Sequence, residues 1–244
     1  MAETVTVSAN VDAGFSIVIY TGDGAAATVG HGLSKAPDMI VIKGYDVDAN
    51  EHWRVYHSSN TGAPETDYLV QDEVDATADD SAVWNDTAPT ADVFSLGTMD
   101  AVNEDDEVFV AYCWHSVEGY SRFGTYEGNA ADDGTFVYTG FSPAWVMVKR
   151  TSSTSVWTSW AIYDSERKTI NSDTGLDSNP LYANKTAGEG ERGNNTSDIG
   201  SNAMAVDFLS NGFKFRDNAS EVNASSTYVY AAFAETPFKY SNGQ

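Results

Sequence analysis

Cysteine, basic residues and long apolar runs are all scarce in this sequence, and each shortage excludes a class of protein. The single cysteine, Cys113, cannot form an intrachain disulfide. No apolar run approaches the roughly 20 residues of a membrane-spanning helix, and Met1 to Val7 lacks the basic and apolar regions of a secretory signal peptide. We therefore expect a soluble protein made in the cytoplasm and stabilised by packing, by an oligomer or by bound ions.

Positive charge is equally scarce. Thirteen basic residues face 36 acidic ones, for a formal net charge of −23. Nucleic acids and anionic membranes require clustered lysine and arginine, so neither is an expected partner. So large a charge destabilises the compact state by self-repulsion, but in molar salt the screening length falls to about 3 Å. The composition therefore predicts a protein of a halophile.

Short apolar segments rich in β-branched and aromatic residues recur along the chain, and clusters of Gly, Asp, Asn, Ser and Thr separate them. Such clusters are typical of turns, and no long stretch has helical apolar spacing. Strands at this spacing without helices between them predict an all-β protein of sandwich or jelly-roll type.

An internal repeat relates the two halves of the chain. Tyr20-Thr21-Gly22-Asp23 matches Tyr126-Glu127-Gly128-Asn129. The later matches, in order, are Met39–Lys43 with Trp145–Lys149, Trp53–Tyr56 with Trp160–Tyr163, Val93–Gly97 with Asp207–Gly212, Asn103–Glu107 with Asn218–Asn223, and Val108–Trp114 with Tyr228–Phe233. We infer a duplicated unit.

The repeat predicts two related antiparallel β-sandwich halves, jelly-roll-like and packed together, at residues 14–120 and 121–244. Residues 1–13 fall outside it. We interpret them as an N-terminal arm, which could add a strand to a neighbouring subunit or form an extra edge strand on its own half.

The repeated pattern resembles a family of uncharacterised tailed-virus proteins. The matching residues, over about 14–240, are Lys35-Ala36-Pro37 before Met39–Lys43, Ser81–Thr90, Val93–Gly97, Phe109–Trp114, Gly119–Tyr126, Val137–Arg150 and Asp207–Lys214. Proteins of this family carry tandem modules akin to concanavalin-like and laminin-G-like jelly rolls. The resemblance offers no catalytic residues to carry over.

The resemblance implies a capsid spike, turret or tail fibre on the exterior of a virion, and the acidic excess suits a haloarchaeal virus. Other virion proteins would be its partners, and host attachment through a surface glycan or glycoprotein would be its outward role. We expect a homo-oligomer, a trimer for a fibre or threefold capsid site or a pentamer for a vertex. The alternatives are a carbohydrate-binding module and a virion-associated glycoside hydrolase.

Acidic loops are the candidate metal sites, and calcium or another hard cation is the cofactor they suggest. Asp46, Asp48 and Asn50 are spaced like the first ligands of an EF-hand loop. Glu51 stands where that loop needs glycine and His57 where it needs glutamate, so the full motif fails. Asp105 and Asp106 form a second acidic loop. The alternative for both is a solvated surface.

Aromatic residues near polar loops are the candidate glycan-binding residues, because a flat ring covers the C–H groups of a sugar. Trp84 and Trp157 are the expected exposed contacts. Trp53 and Trp160 occupy matching repeat positions, which favours the core for both.

Catalysis finds little support, and we predict that the protein is not an enzyme. The chain has no Gly-x-Ser-x-Gly motif. Its four histidines, His31, His52, His57 and His115, stand singly in loops or at strand ends, which predicts surface positions. Among 36 acidic residues the sequence singles out no hydrolase pair.

Overall fold

The computed structural model describes residues 5–45, 52–155, 158–167, 180–186 and 205–236. Nearly all of the regular structure in them is β. The strands are β1 Val5–Asn10, β2 Phe15–Thr21, β3 Ala27–Gly30, β4 Met39–Gly44, β5 Arg54–His57, β6 Asp67–Val70, β7 Ala78–Asp79, β8 Val93–Leu96, β9 Val108–Trp114, β10 Ser121–Glu127, β11 Phe136–Tyr138, β12 Pro143–Arg150, β13 Ala161–Asp164, β14 Leu181–Tyr182, β15 Val206–Leu209, β16 Gly212–Phe215 and β17 Thr227–Ala234. Two single-turn helices are described, α1 Ser81–Trp84 and α2 Asp100–Asn103. Among the described residues no helix has the length and apolarity to cross a membrane.

The described chain divides into two compact units. The first contains the residues up to Gln71 and the range Thr77–Val117, and the second contains Asp72–Ala76 and the residues from Glu118 onward. A short segment of the first half therefore belongs to the second unit. The sequence repeat placed the boundary between residues 120 and 121.

The first unit is a sandwich of two antiparallel sheets. Its large sheet has the strand order β1-β2-β9-β4-β5-β6-β7, and its small sheet pairs β3 with β8. The core joins both, because Tyr20 and Phe109 of the large sheet pack in one cluster with Val29 and Phe94 of the small one. Alternation produces this arrangement: Ser16, Val18 and Tyr20 of β2 are buried while their neighbours are partly or fully exposed.

The second unit repeats that topology. Its large sheet has the order β10-β17-β12-β13-β14, and its small sheet has the order β11-β16-β15. Strands β10, β17, β12 and β13 occupy the places that β2, β9, β4 and β5 hold in the first unit. Tyr126 and Tyr228 of the large sheet pack in one cluster with Phe213 and Phe215 of the small sheet. The prediction of an all-β protein built from antiparallel sheets is confirmed.

The strand registers correct one part of the repeat. In β3 and β8, Val29 lies opposite Phe94. The same arrangement in the second unit sets Val137 of β11 opposite Phe213 of β16. The counterpart of Val93–Leu96 is therefore Gly212–Phe215, and the sequence match to Asp207–Gly212 was wrong. It failed because β15 and β16 form a hairpin with similar apolar spacing in both strands.

The N-terminal segment forms an edge strand on its own half. All six residues of β1 pair in unbroken antiparallel register with β2, from Val5 opposite Tyr20 to Asn10 opposite Phe15. Of the two interpretations of residues 1–13, the structure supports the edge strand for residues 5–10. In the second unit β10, which corresponds to β2, is itself the edge strand of its sheet.

Candidate functional site

Trp84, expected to contact a glycan, lies in the core of the first unit. Its side chain is 2% exposed and packs edge-on against Tyr56, with ring centroids 5.8 Å apart. Helix α1 explains this position: Asp80 caps it by accepting a hydrogen bond from the Ala82 N–H, and the following turn buries Val83 and Trp84. The expectation of exposure was wrong, because the polar loop around Trp84 contains a helical turn that points its ring inward.

Most of the other candidate residues lie outside the described part of the chain. This applies to the second glycan candidate, Trp157, and to the calcium candidates Asp46, Asp48 and Asn50. Those predictions stay predictions.

Asp105 and Asp106 are described and lie on the surface. The Asp106 N–H donates to the Gly22 carbonyl at 3.2 Å, and Asp106 has a φ of 65°, so the loop turns sharply here. Both side chains are exposed. Across the described residues no group of three or more His, Cys, Asp or Glu side chains converges as a metal site would require. Any cation held here would therefore need backbone oxygens or water as its other ligands.

Asn103, which precedes these two acids by two and three residues, is fully buried and bonds to neighbouring loops. Its Nδ2 donates to the carbonyls of Ala25, at 2.6 Å, and Gly97, at 2.9 Å. Its Oδ1 accepts from the Asp23 N–H at 3.1 Å. Beside it the Tyr20 hydroxyl donates to the Val102 carbonyl at 2.6 Å, and burial raises the pKa of Tyr20 well above its ordinary value.

The second unit contains the same arrangement around Asn223. Its Nδ2 donates to the carbonyls of Ala131 and Asp217, at 2.8 and 2.9 Å, and its Oδ1 accepts from the Asn129 N–H at 3.0 Å. The Tyr126 hydroxyl donates to the Val222 carbonyl at 2.6 Å. We call these two sites, centred on Asn103 and Asn223, the asparagine nodes.

The asparagine nodes explain the strongest polar matches of the sequence repeat. Tyr20 with Asp23 and Tyr126 with Asn129 are the ends of one motif, and each motif bonds to its node. The Ala25 N–H, donating to Asp23, lowers the pKa of that carboxyl. In the second unit the neutral Asn129 accepts the equivalent bond from Ala131. These repeated polar residues tie the loops after β2 and β10 to the two buried asparagines.

Three of the four histidines are buried, and the expectation of surface positions was wrong for them. His31, His57 and His115 are 0%, 1% and 4% exposed. Nδ1 of His31 accepts from the Leu33 N–H, and Nδ1 of His57 accepts from the Ser59 N–H. Each of these two rings thus closes a turn two residues further on. Burial lowers the pKa of His31, so its neutral ring is the form that accepts this bond.

Lys149 is a buried ionisable group that sequence reasoning missed. Its side chain is 0% exposed, and its Nζ donates to the carbonyls of Val74, Arg150 and Thr158 at 3.1, 3.1 and 2.8 Å. Burial lowers its pKa to about 7, and Asp75 acts in the opposite direction. A lysine ending an apolar strand looks like a surface residue. The return of Asp72–Ala76 into the second unit supplies one of the three acceptor carbonyls, that of Val74.

A row of aromatic rings lies on the face of the large sheet of the first unit that points away from its core. Phe15 stacks on Trp114 at 5.1 Å, Trp114 on Tyr112 at 6.1 Å and Tyr112 on Trp53 at 6.4 Å. All four side chains are half-buried. We call this set the aromatic row. Trp160, the repeat counterpart of Trp53, is 2% exposed, so the core prediction is confirmed for Trp160 alone.

The described groups can stack and accept hydrogen bonds. Cys113 lies in the core, where burial raises the pKa of its thiol to about 12, so at neutral pH it is an unreactive thiol.

Fold and nodes together define a tandem all-β protein in which each half is an antiparallel sandwich fixed by one buried asparagine. Residues 2–237 match the family described as Domain of unknown function (DUF7483), and the chain belongs to that family. Neither a curated protein nor a solved structure matches it.

Proposed function

We propose that this chain is a structural protein on the exterior of a tailed-virus particle, as a capsid spike, turret or tail fibre, with no catalytic role. The observation that carries the proposal is the pair of asparagine nodes. Polar residues that recur in a duplicated enzyme would be expected to face a substrate. Here the two central ones, Asn103 and Asn223, are fully buried, and they bond to the loops that follow β2 and β10.

The acidic surface supports the same proposal for a particle in salty water. A net charge of −23 keeps copies of the chain dispersed at low salt and lets them approach where salt screens it. Other virion proteins and further copies of this chain are the proposed partners. The sequence resemblance to tailed-virus proteins supports this choice of particle.

Purified particles from the source organism test the proposal directly. Peptides of this chain should sediment with the particles in a salt-containing density gradient, in fixed proportion to the major capsid protein. Antibodies against the chain should label intact particles at one kind of site. Recovery of the chain only in the soluble fraction of infected or induced cells would refute a virion role.

A carbohydrate-binding module is the second candidate, and the aromatic row favours it. The four neighbouring rings are nearly parallel and form a continuous apolar strip across the sheet, against which successive sugar units could pack. A glycan array would identify a ligand, and Trp114→Ala should then lower its affinity at least tenfold, because truncating a central tryptophan of a binding site costs about 2 kcal/mol or more and about 1.4 kcal/mol is tenfold. Ile19→Ala, an exposed apolar residue of the adjoining strand β2, is the matched control. Equal affinity of both variants would exclude the row as the binding site.

A further inference from the structure

Strand β1 forms an open edge of the large sheet of the first unit. All six of its residues, Val5–Asn10, are exposed, including Val5 at 41% and Val7 at 39%. Among the described strands, β1 pairs with β2 alone, on one side. Its register contains no bulge, so the second side is a regular row of backbone groups.

The hydrogen bonds of β2 show which of these groups point outward. The Gly14 carbonyl accepts from the His115 N–H at 2.9 Å, and the Gly22 N–H donates to the Glu107 carbonyl at 2.8 Å. Gly14 and Gly22 flank β2, and His115 and Glu107 flank its neighbour β9. On the β2 strand, the residues that bond toward β9 are therefore the even-numbered ones. In antiparallel pairs backbone groups alternate between the two neighbours. The odd-numbered residues of β2 therefore face β1.

Register then assigns the residues of β1. Phe15 and Ile17 of β2 lie opposite Asn10 and Ser8, so the even-numbered residues of β1 bond to β2. The N–H and C=O groups that point away from the sheet belong to the odd-numbered residues: Val5, Val7 and Ala9. Within the described part of the chain no backbone group pairs with them on that side.

The other edges of the two large sheets are protected. Strands β7 and β14 have two residues each, too short to template a partner. Edge strand β10 carries the charged residues Arg122 and Glu127, both exposed. Natural sheets guard their edges by shortness, charge, proline or bulges, and β1 has none of these.

We propose that β1 pairs with the β1 strand of a second copy of this chain, in antiparallel orientation about a two-fold axis perpendicular to the sheet. A rotation about that axis does not exchange the two faces of the sheet. Odd-numbered residues therefore lie opposite odd-numbered residues of the second copy, and even-numbered residues opposite even-numbered ones. Centred on Val7, the pairing sets Val7 opposite the partner's Val7 and Val5 opposite the partner's Ala9. All three outward-facing residues of each strand are then hydrogen-bonded, and two seven-stranded sheets become one.

Charge favours a second copy over an unrelated partner. The chain carries −23, yet Val5–Asn10 contains no charged residue, and the flanking acids in the sequence, Glu3 and Asp12, stand two residues before and after the strand. A basic partner would find no negative charge on this strand to attract it. When two copies of the neutral strand pair, no like charges meet between the paired strands, where electrostatic repulsion would be strongest.

The inference is independent of the virion role, and it changes the expected stoichiometry. An isologous two-fold contact closes a dimer and builds only even-numbered assemblies by itself. The trimer or pentamer expected from the sequence would need a different interface.

Sedimentation equilibrium in molar potassium chloride tests the proposal. The wild-type chain should sediment at twice its 26.3 kDa mass. Val7→Pro should sediment as a monomer, because proline removes an outward N–H at the centre of the pairing and leaves every β1–β2 bond in place. Val7→Ala, which shortens the same side chain but keeps the N–H, should remain a dimer. A wild-type monomer up to its solubility limit, or a dimer unaffected by Val7→Pro, would overturn the proposal.

Cysteine cross-linking tests the register even if the proline variant folds poorly. With Val7 at the centre, Thr6 lies opposite the partner's Ser8 as a non-hydrogen-bonded pair, with about 4.5 Å between Cα atoms. Thr6→Cys/Ser8→Cys should form a reducible covalent dimer on mild oxidation, because such a separation suits a disulfide. Thr6→Cys alone, two residues out of register with its symmetry mate, should stay unlinked. Absence of the covalent dimer from the double variant would refute this register.

Discussion

One asparagine lies at the centre of each asparagine node. Its side-chain amide forms hydrogen bonds with backbone groups of loops, which have no strand partner for these bonds. Asn223 bonds to groups of Asn129, Ala131 and Asp217, three residues in two separate loops. Alanine at this position would remove the partner of three part-buried backbone groups, those of Asn129, Ala131 and Asp217. Each such group costs about 1–3 kcal/mol.

We therefore expect Asn223→Ala to lower the free energy of unfolding by about 3 kcal/mol, and Asn103→Ala to do the same through the first unit. Chemical denaturation measures both. Asn218→Ala, at an exposed position of the loop near Asn223, is the control and should change stability by less than about 0.5 kcal/mol. If the two node variants had the same free energy of unfolding as the control, water would be replacing the hydrogen bonds of the amide without loss of stability.

Lys149 predicts a pH dependence of stability. Its pKa is about 7 in the folded protein, whereas an exposed lysine holds its proton to about pH 10.4. Between these values the unfolded chain binds more protons than the folded one, so this residue makes stability rise with pH, by up to about 1.4 kcal/mol per pH unit. Below pH 7 both states are protonated and the cost of burying the ammonium is constant.

Denaturation midpoints from pH 7 to 10 should therefore rise less steeply in Lys149→Met than in the wild type. The control is Lys43→Met, which removes the same charge from the matching position of β4, where the lysine is half-buried. Its profile should parallel that of the wild type. Parallel profiles for all three proteins would mean that Lys149 keeps its proton throughout, held by its three carbonyl acceptors.

At the scale of elements, a glycine at the end of β2 and one at the end of β10 allow close contact with the loop that follows each node asparagine. A Cβ on Gly22 would lie 2.1 Å from the Glu104 carbonyl oxygen, and one on Gly128 would lie 2.0 Å from that of Ala224. Both neighbours are backbone atoms and cannot swing aside. The Tyr-x-Gly pattern of the repeat therefore reflects contact between a strand end and the loop that follows the node.

Gly22→Ala and Gly128→Ala should each destabilise the protein by several kcal/mol, because the backbone must move to relieve the overlap. Thermal denaturation measures the effect. Gly62→Ala is the matched control, since nothing lies within 4 Å of its added Cβ, and it should be neutral or slightly stabilising. A neutral Gly128→Ala would show that the loop can withdraw from the strand freely.

At the scale of the whole molecule, self-repulsion sets the response to salt. A net charge of −23 should make the wild type more stable as potassium chloride rises from about 0.1 to 1 M, where the screening length falls from about 10 to 3 Å. Urea midpoints at each salt concentration measure this. A variant with four exposed acids changed to asparagine, Asp12, Asp105, Asp106 and Asp132, should show a flatter dependence. Equal slopes for both proteins would assign the salt effect to something other than net charge.

The amino-acid sequence by itself determined the all-β class, the antiparallel strands and most of the repeat, because period-two apolar patterns and turn residues act locally. It misplaced β16 because two adjacent strands of similar pattern can be told apart only by their register. Tertiary structure alone decided that Trp84 and three histidines face inward and that Lys149 is covered by a returning segment. It also decided which backbone groups of β1 are left open. Burial and edge position depend on residues distant in the chain, and no local pattern encodes them.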